Sequence, residues 1–347
     1  MRPLFTIGMP VYNAMPYLSE AVESVLRQTY PHFELVIIND GSRDASLEYL
    51  CSLQDPRVRI ICQENRGLTF TLNRLLDEAH APWLVRLDAD DVACPERLAV
   101  IADAVQQQPA AGMFYSRASH YGPSRLIAAS RSTEGTPAEL WALTRAGYLL
   151  AIVHSSAVLN VAKTRALGGY RFDLHIEDLD LWWRISLRHG IVFIPQVTVL
   201  YRLNHDSVCV NHLQSLSANT LFVQYLLLSH LWGVEAQPYE AVIGALSGLV
   251  DKRRLAYREQ MWRAAAHLGA RRYRRAAPHL VKAAAYSPGH FLGRVAYSFR
   301  RDPVVRVGED PRQFRRIEQQ LWNAMEFSGA AFEPGSFFSL PTRGAGR

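Results

Sequence analysis

The chain has 347 residues, 49% of them hydrophobic, 20% charged and 10% aromatic, with a formal net charge of +6. That composition excludes a disordered or fibrous chain and is enough for one large core plus a smaller unit. It also offers no apolar run of the roughly 18–20 residues that a membrane span needs: Leu221–Trp232 is interrupted by Gln224, Ser229 and His230, and Ala241–Val250 is too short. Cys51, Cys62, Cys94 and Cys209 form no CxxC pair and read as free thiols of a reducing cytoplasm. The chain enters a strand-like run at once, which reads as a cytoplasmic protein without a secretory leader. Charge is unevenly spread. Residues 251–347 hold 19 Lys and Arg against 8 Asp and Glu, a balance of +11, which leaves −5 for the rest.

The apolar pattern predicts strands at Leu4–Val11, Phe33–Ile38, Val58–Cys62 and Trp83–Leu87. Between them lie amphipathic helices at Tyr17–Gln28, from Ser42 or Asp44 to Leu53, and at Thr69–Ala79. Pro95 opens a fourth helix to about Gln107. This alternation predicts a parallel sheet covered on both faces. Met113–Ser119 and Leu126–Ser130 then read as a hairpin joined at Gly122-Pro123. Ile176–His189 is a helix with Leu179, Trp182, Trp183 and Leu187 on one stripe, and Val197–Leu203 is a last strand. Beyond Ser207 the pattern is helical, and residues 329–347 have the composition of a disordered tail.

In an open α/β sheet, ligands bind outside the carboxyl ends of the strands. The four predicted strands are followed by Pro10-Val11-Tyr12-Asn13, Asn39-Asp40-Gly41-Ser42, Asn65-Arg66-Gly67 and Asp88-Ala89-Asp90-Asp91. Any one of these reads as turn chemistry, and for Asn65 and Gly67 alone the turn reading is the simpler. Four on one edge point to a ligand. Asp88 and Asp90 place two carboxylates at alternate positions where a buried strand ends. A hard divalent cation, which would also bind a diphosphate, is their natural partner. Asp91 reads equally well as a cap of the next helix.

These segments, with Ala21–Thr29, Arg86-Leu87, Pro95–Leu98, Gly168-Gly169-Tyr170, Glu177-Asp178 and Asp180-Leu181, resemble the family 2 glycosyltransferases of the GT-A fold over about residues 4–207. Leu72 departs from the pattern, since many members carry an arginine there, and this leaves donor choice open. The resemblance implies an α/β fold: a GT-A type nucleotide-sugar-binding domain with a mostly parallel central sheet at residues 1–207, then a helical C-terminal region at 208–328. It implies that Pro10, Val11, Tyr12, Asn13, Asp40, Asn65, Gly67, Asp88, Ala89 and Arg202 surround the donor. Tyr12 would stack on the base. Asp40 would accept from the ring N–H of uracil or thymine, which favours a UDP-sugar. Asp90 and His205 would hold Mn²⁺ or Mg²⁺. Asp178, at the N-terminus of an amphipathic helix that favours an anion, would be the general base. His154, Glu177 and Trp182 fall on the acceptor side or in the structure beneath it, and Trp182 and Trp183 read more readily as core.

A single base without a covalent intermediate implies inversion at the anomeric carbon. By analogy with the family the acceptor is a carbohydrate or lipid-linked, in surface polysaccharide or glycolipid synthesis. A nucleotidyltransferase or a dinucleotide oxidoreductase would want glycines between Pro10 and Pro16, where none occur. A non-catalytic nucleotide-sugar binder or scaffold is the remaining alternative, against which Asp90 and Asp178 argue. The basic C-terminal part, with Arg271, Arg272, Arg274 and Arg275, suits peripheral contact with an anionic membrane at the inner face of the plasma membrane. Packing on the catalytic domain or a homodimer would explain it equally. Nucleic acid is not expected as a partner.

Overall fold

The structure, a computed structural model, describes residues 3–122, 125–129, 132–202, 213–269, 272–289 and 291–292. Its strands are β1 (Phe5–Val11), β2 (Phe33–Asp40), β3 (Val58–Gln63), β4 (Trp83–Arg86), β5 (Val92–Ala93), β6 (Met113–Gly122), β7 (Arg125–Ala129), β8 (Ala157–Asn160) and β9 (Ile191–Arg202). They form one sheet in the order β3-β2-β1-β4-β8-β6-β9-β5, with β7 paired to β6. The first four strands pair in parallel, as the alternating pattern predicts. In the second half β8 runs antiparallel to both β4 and β6, whereas β9 is parallel to β6. The predicted hairpin is the antiparallel β6–β7 pair.

Alternation along the strands divides the core into two layers. Phe5, Ile7, Met9 and Val11 of β1, with Phe33, Leu35 and Ile37 of β2 and Trp83 and Val85 of β4, face one side. There they pack on α1 (Leu18–Leu26) and α4 (Arg97–Gln107). Val36, Ile38 and Leu84 face the other side and pack on α3 (Leu68–Glu78) and α7 (Glu177–His189). The short helices α2 (Ser46–Cys51), α5 (Pro137–Arg145) and α6 (Val161–Ala166) complete the layers. The sequence pattern missed α5 although it carries a capping box. Glu139 N–H donates to Thr136 Oγ1 at 3.3 Å, and Thr136 N–H donates to Glu139 Oε2 at 2.8 Å.

Four further helices follow: α8 (Leu213–Trp232), α9 (Tyr239–Gly248), α10 (Lys252–Gly269) and α11 (Tyr273–Tyr286). Val223 and Leu227 of α8 pack on Ile176 and Trp183, while Phe222, Tyr225 and Leu228 pack on Val242 and Leu246 of α9. The helical region is thus joined to α7 by a buried apolar seam. No helix among the described residues is long and apolar enough to cross a membrane. Cys51, Cys62 and Cys94 are free. Cys209, the predicted boundary at residue 207 and the predicted tail lie outside the described residues.

Candidate functional site

Asp40, Asn65 and Gly67 meet where β2 and β3 end. Asp40 Oδ1 accepts from Gln63 Nε2 at 2.6 Å and from the Arg66 N–H at 2.8 Å, and Oδ2 accepts from the Gly67 N–H at 3.0 Å. Asn65 Nδ2 donates to the Asp40 carbonyl at 3.1 Å. Gly41 has φ +73°, and a Cβ there would lie 2.8 Å from the Asn65 nitrogen, so glycine lets the two loops touch. Across the next gap, Asn13 N–H donates to Ser42 Oγ and Arg43 N–H donates to Asn13 Oδ1, at 3.0 and 2.7 Å. Pro10 and Val11 end β1 in the core, and Tyr12 beyond them is 50% exposed. Three strand ends therefore form one braced rim with an aromatic face open to solvent.

The β4 end is built around a buried cation. Arg86 has a fully buried side chain and donates from Nη2 to Asp88 Oδ1 at 2.6 Å. Ser155 Oγ donates to Asp88 Oδ2 at 2.8 Å and accepts from the Asp88 N–H at 3.0 Å. Arg97, the first residue of α4, turns inward and donates from Nη2 to the Arg86 and Ser155 carbonyls. Ala89 is buried and Asp90 half-buried beside them. Asp91 does not cap α4. It is 1% exposed and accepts from the Arg202 N–H at 2.8 Å. Arg202 in turn donates from Nε to the Asp90 carbonyl at 2.7 Å, pairs with Glu20 and lies over the rings of Tyr17 and Tyr121. It clamps the Asp90 turn to β9 and α1.

The second half supplies Glu177 and Asp178 at the start of α7. Their approach is held by Asn73, which donates from Nδ2 to the Tyr170 carbonyl and accepts the Tyr170 N–H, at 2.8 and 2.9 Å. A Cβ at Gly169 (φ +61°) would lie 2.4 Å from Asn73 Oδ1, so this contact needs glycine. Asp180 is fully buried and bonded by both Arg171 and Arg184, and Arg184 also donates to the Leu167 and Gly169 carbonyls. His154 Nε2 lies 2.9 Å from the Tyr170 hydroxyl, and its Nδ1 lies 3.9 Å from Glu177 Oε1. Trp182 is not an acceptor platform. It is 0% exposed and packs edge-on against His154 in the core. His205 lies outside the described residues.

Electrostatics tie the two halves together. Burial pushes the Asp88 carboxyl up, but Arg86, His154 and Ser155 more than offset it and hold it below its ordinary value. Burial and the Asp88 charge raise Asp90 to about 6. Burial and Asp178 raise Glu177 to about 8. Asp178 is itself raised to about 6, mainly by burial, with Asp88 contributing, so burial outweighs the favourable helix N-terminus. Burial drives His154 down to about 3 and keeps it neutral.

A stability prediction follows from linkage. Glu177, Asp178 and Asp90 bind protons more tightly folded than unfolded, so their contribution is lost as pH rises through about 8 and about 6. His154, His120 and His189 are lowered from 6.5, mainly by burial, and so oppose stability once pH falls below that value. The metal-free protein should therefore gain stability from pH 8.5 to 6.5, where Glu177 takes up its proton before the histidines begin to oppose it, as read by urea unfolding at each pH. A steady loss over that interval would contradict the cluster.

Among the described residues no three His, Cys, Asp or Glu side chains converge as a preformed metal cage. The donor set still suits a hard cation. It is carboxylate oxygen, and Asp91 Oδ2 is buried without a hydrogen-bond partner among the described residues. Mg²⁺ commonly takes one or two carboxylates and completes its shell with substrate phosphates and water.

The comparisons with known proteins bear on this geometry. The profile of Glycosyl transferase family 2 matches residues 6–160. Over those residues, somewhat under half of its length, the chain is similar to the family 2 glycosyltransferases. The glycosyltransferase GlyG of Streptococcus pneumoniae serotype 4 is 34% identical over 114 residues, which is 32% of this chain and 38% of GlyG. EpsE of Bacillus subtilis strain 168 is 28% identical over 219 residues, covering 59% of this chain and 74% of EpsE. The chondroitin synthase of Pasteurella multocida is 38% identical over 96 residues, 27% of this chain and 10% of the synthase. S. aureus TarS 1–349 in complex with UDP-GlcNAc superposes with a TM-score of 0.52 at 14% identity, over 88% of this chain and 95% of that one. That likeness is one of fold, of the GT-A type. The matched segment spans β1 to β8, so it includes the rim and the Asp88–Asp91 turn, and α7 lies beyond it.

Sequence reasoning missed the residues that hold the site together. Ser155, Arg97, Asn73 and Asp180 all stand inside or beside the recognised motifs. Glu20 and Gln63 carried no signal, because their partners are 182 and 23 residues away in the chain.

Proposed function

We propose that the chain transfers a sugar from a nucleoside-diphosphate donor, a UDP-sugar by preference, to an acceptor hydroxyl with inversion, using Asp178 as general base. The observation that carries this reading is the placement of the Asp88–Asp90 turn and the Glu177-Asp178 helix start around the buried Arg86. It supplies a pole for a diphosphate and a proton acceptor beside it. Tyr12, exposed on the rim, stacks on the base, where an aromatic contact contributes roughly 1–3 kcal/mol. Asp40 uses three of its roughly four acceptor sites within the rim and keeps one for the ring N–H of uracil. Asp88 is held ionised and faces the ribose. Asp178 takes the acceptor proton as the acceptor oxygen bonds to the anomeric carbon and the bond to the diphosphate breaks on the opposite face. A divalent cation, Mn²⁺ or Mg²⁺, held by Asp90 and by His205, would neutralise the charge of the departing diphosphate. Neutral His154 and buried Glu177 support the acceptor side rather than donate charge to it.

The catalytic unit in this reading is residues 1–207, with 208–328 as a helical region. The acceptor is a carbohydrate or lipid-linked saccharide, as in polysaccharide or glycolipid synthesis. The test is nucleoside-diphosphate release from UDP-sugars with Mn²⁺, with and without chelator. Release that needs the cation and is abolished by Asp178→Asn supports the proposal. Tight donor binding with no turnover on any acceptor would favour the non-catalytic binder.

The outer side of α11 favours membrane contact. Tyr273 is 64% and Val281 70% exposed, and Arg272, Arg274 and Arg275 are exposed beside them. Each basic group near an anionic surface contributes on the order of 1 kcal/mol. The full chain should float with anionic liposomes at low salt, and should stop doing so when Arg271, Arg272, Arg274 and Arg275 are replaced by glutamine. Absence of flotation by the intact protein would leave packing or a homodimer as the role of these arginines.

A further inference from the structure

A second concavity, of about 480 Å³, lies between α5, the turn after α6, α7 and α8. Tyr12, Asp40, Asp88, Asp90 and Asp178 are absent from its walls, so it is separate from the donor cleft. Its walls carry Arg145, Arg171, Arg184 and Arg188 with Trp141 and Trp183, and no acidic side chain. Arg171 and Arg184 share the single carboxylate of Asp180 behind them, so two cations are fixed in place against one anion. Arg145 and Arg188 are exposed and have no ion-pair partner among the described residues. Trp183 is 5% exposed, and its indole N–H is buried without an acceptor among the described residues. An unspent buried donor is costly in a closed core and suits a site that a ligand completes. The Trp183 ring itself lies against Arg171 and His230, so the indole face open to the cavity is that of Trp141, 46% exposed, with the Arg145 guanidinium 5.6 Å from its ring centre.

The volume falls in the range of small-ligand sites, roughly 300–1,000 Å³. Guanidinium forks match the planar oxygens of carboxylate and phosphate. Indole faces match the apolar C–H face of a sugar ring. We propose that this pocket binds an anionic saccharide, a sugar bearing a carboxylate or a phosphate, and that it holds the acceptor away from its reacting hydroxyl. The second half of that statement rests on the transfer reading and the first half does not. Asp178 opens α7, and Trp183 and Arg188 follow it by about 7.5 and 15 Å along the helix axis. At 3.6 residues per turn Trp183 lies about 140° around α7 from Asp178, so a saccharide that reaches both passes around the helix.

Calorimetry on the full chain tests this with four probes: a glucuronate-containing tetrasaccharide, glucose 6-phosphate, neutral maltotetraose and inorganic phosphate. A charged saccharide should bind at least tenfold more tightly than maltotetraose or inorganic phosphate. The tighter of the two charged probes identifies the anionic group. The double variant Arg145→Gln, Arg188→Gln, which removes exposed side chains only, should weaken that binding at least tenfold, and Trp141→Ala should also weaken it. UDP-sugar binding should be unchanged in both variants, which separates failure of this site from failure of the donor site. The proposal is overturned if neither charged saccharide binds, if maltotetraose or inorganic phosphate binds as tightly, or if the double variant binds with wild-type affinity.

Discussion

If Asp178 is the general base, Asp178→Asn should lower transfer by roughly 10²-fold or more while donor binding stays near wild type. The substitution keeps the size and the contact with the Leu179 N–H region but removes the proton acceptor, and general base catalysis contributes about 10²–10⁴-fold. The same residue sets a pH dependence. Its carboxyl is raised to about 6, so in the absence of donor and metal it is ionised above that value and protonated below it. Turnover should fall on the acid side with an apparent value near there, and the Asn variant should lose that limb. The kcat/KM for the donor across pH 5–8, which reports the free enzyme, checks both statements. A rate that hardly changes in Asp178→Asn would move the role of base to Glu177, whose carboxyl is raised to about 8, so turnover would then rise as pH approaches that value.

If Asp90 holds the cation, Asp90→Ala should remove metal-dependent donor affinity, by on the order of 10²-fold in Kd, and leave affinity in the presence of chelator unchanged. The fold should survive. Asp90 is half-buried with its carboxyl raised to about 6, first by burial and then by Asp88, so ionised Asp90 is a source of repulsion in the metal-free protein. The variant should melt at or above the wild-type temperature at pH 8. A variant that melts well below wild type would place Asp90 among the structural braces with Asp91 and Asp180. Unchanged metal dependence would remove it from the metal shell.

The rim of polar strand ends was legible in the sequence because it is local. Each of the four polar clusters follows its own strand, and a parallel sheet must deliver all four to one edge whatever else the chain does. The start of α7 was legible for the same reason, from the stripe of Leu179, Trp182, Trp183 and Leu187. Three things were not. The direction of β8 and the β6–β9 pairing depend on contacts between distant segments, which no local period encodes. The division of Trp182 from Trp183 depends on which neighbour covers each face of α7: the sheet covers Trp182, and α8 covers Trp183. The charge balance inside the site depends on Arg86, which the sequence marks only as part of a motif at a strand end and which is the buried cation paired with Asp88 and acting at longer range on Glu177 and Asp178. That cation and the depth of burial decide which carboxylates are charged at neutral pH.

The account stands on a nucleotide-sugar donor bound at the rim formed by Tyr12, Asp40 and the Asp88–Asp90 turn. A melting-temperature panel of UDP-, GDP- and dTDP-sugars, each with Mn²⁺ and each with chelator, tests it most directly. A bound ligand stabilises by mass action, about 2.7 kcal/mol at one hundred times its Kd. The predicted result is a clear rise with one or more UDP-sugars that requires Mn²⁺ and disappears in Asp90→Ala. No rise with any nucleotide-sugar in the panel, or an equal rise with chelator present, would contradict it.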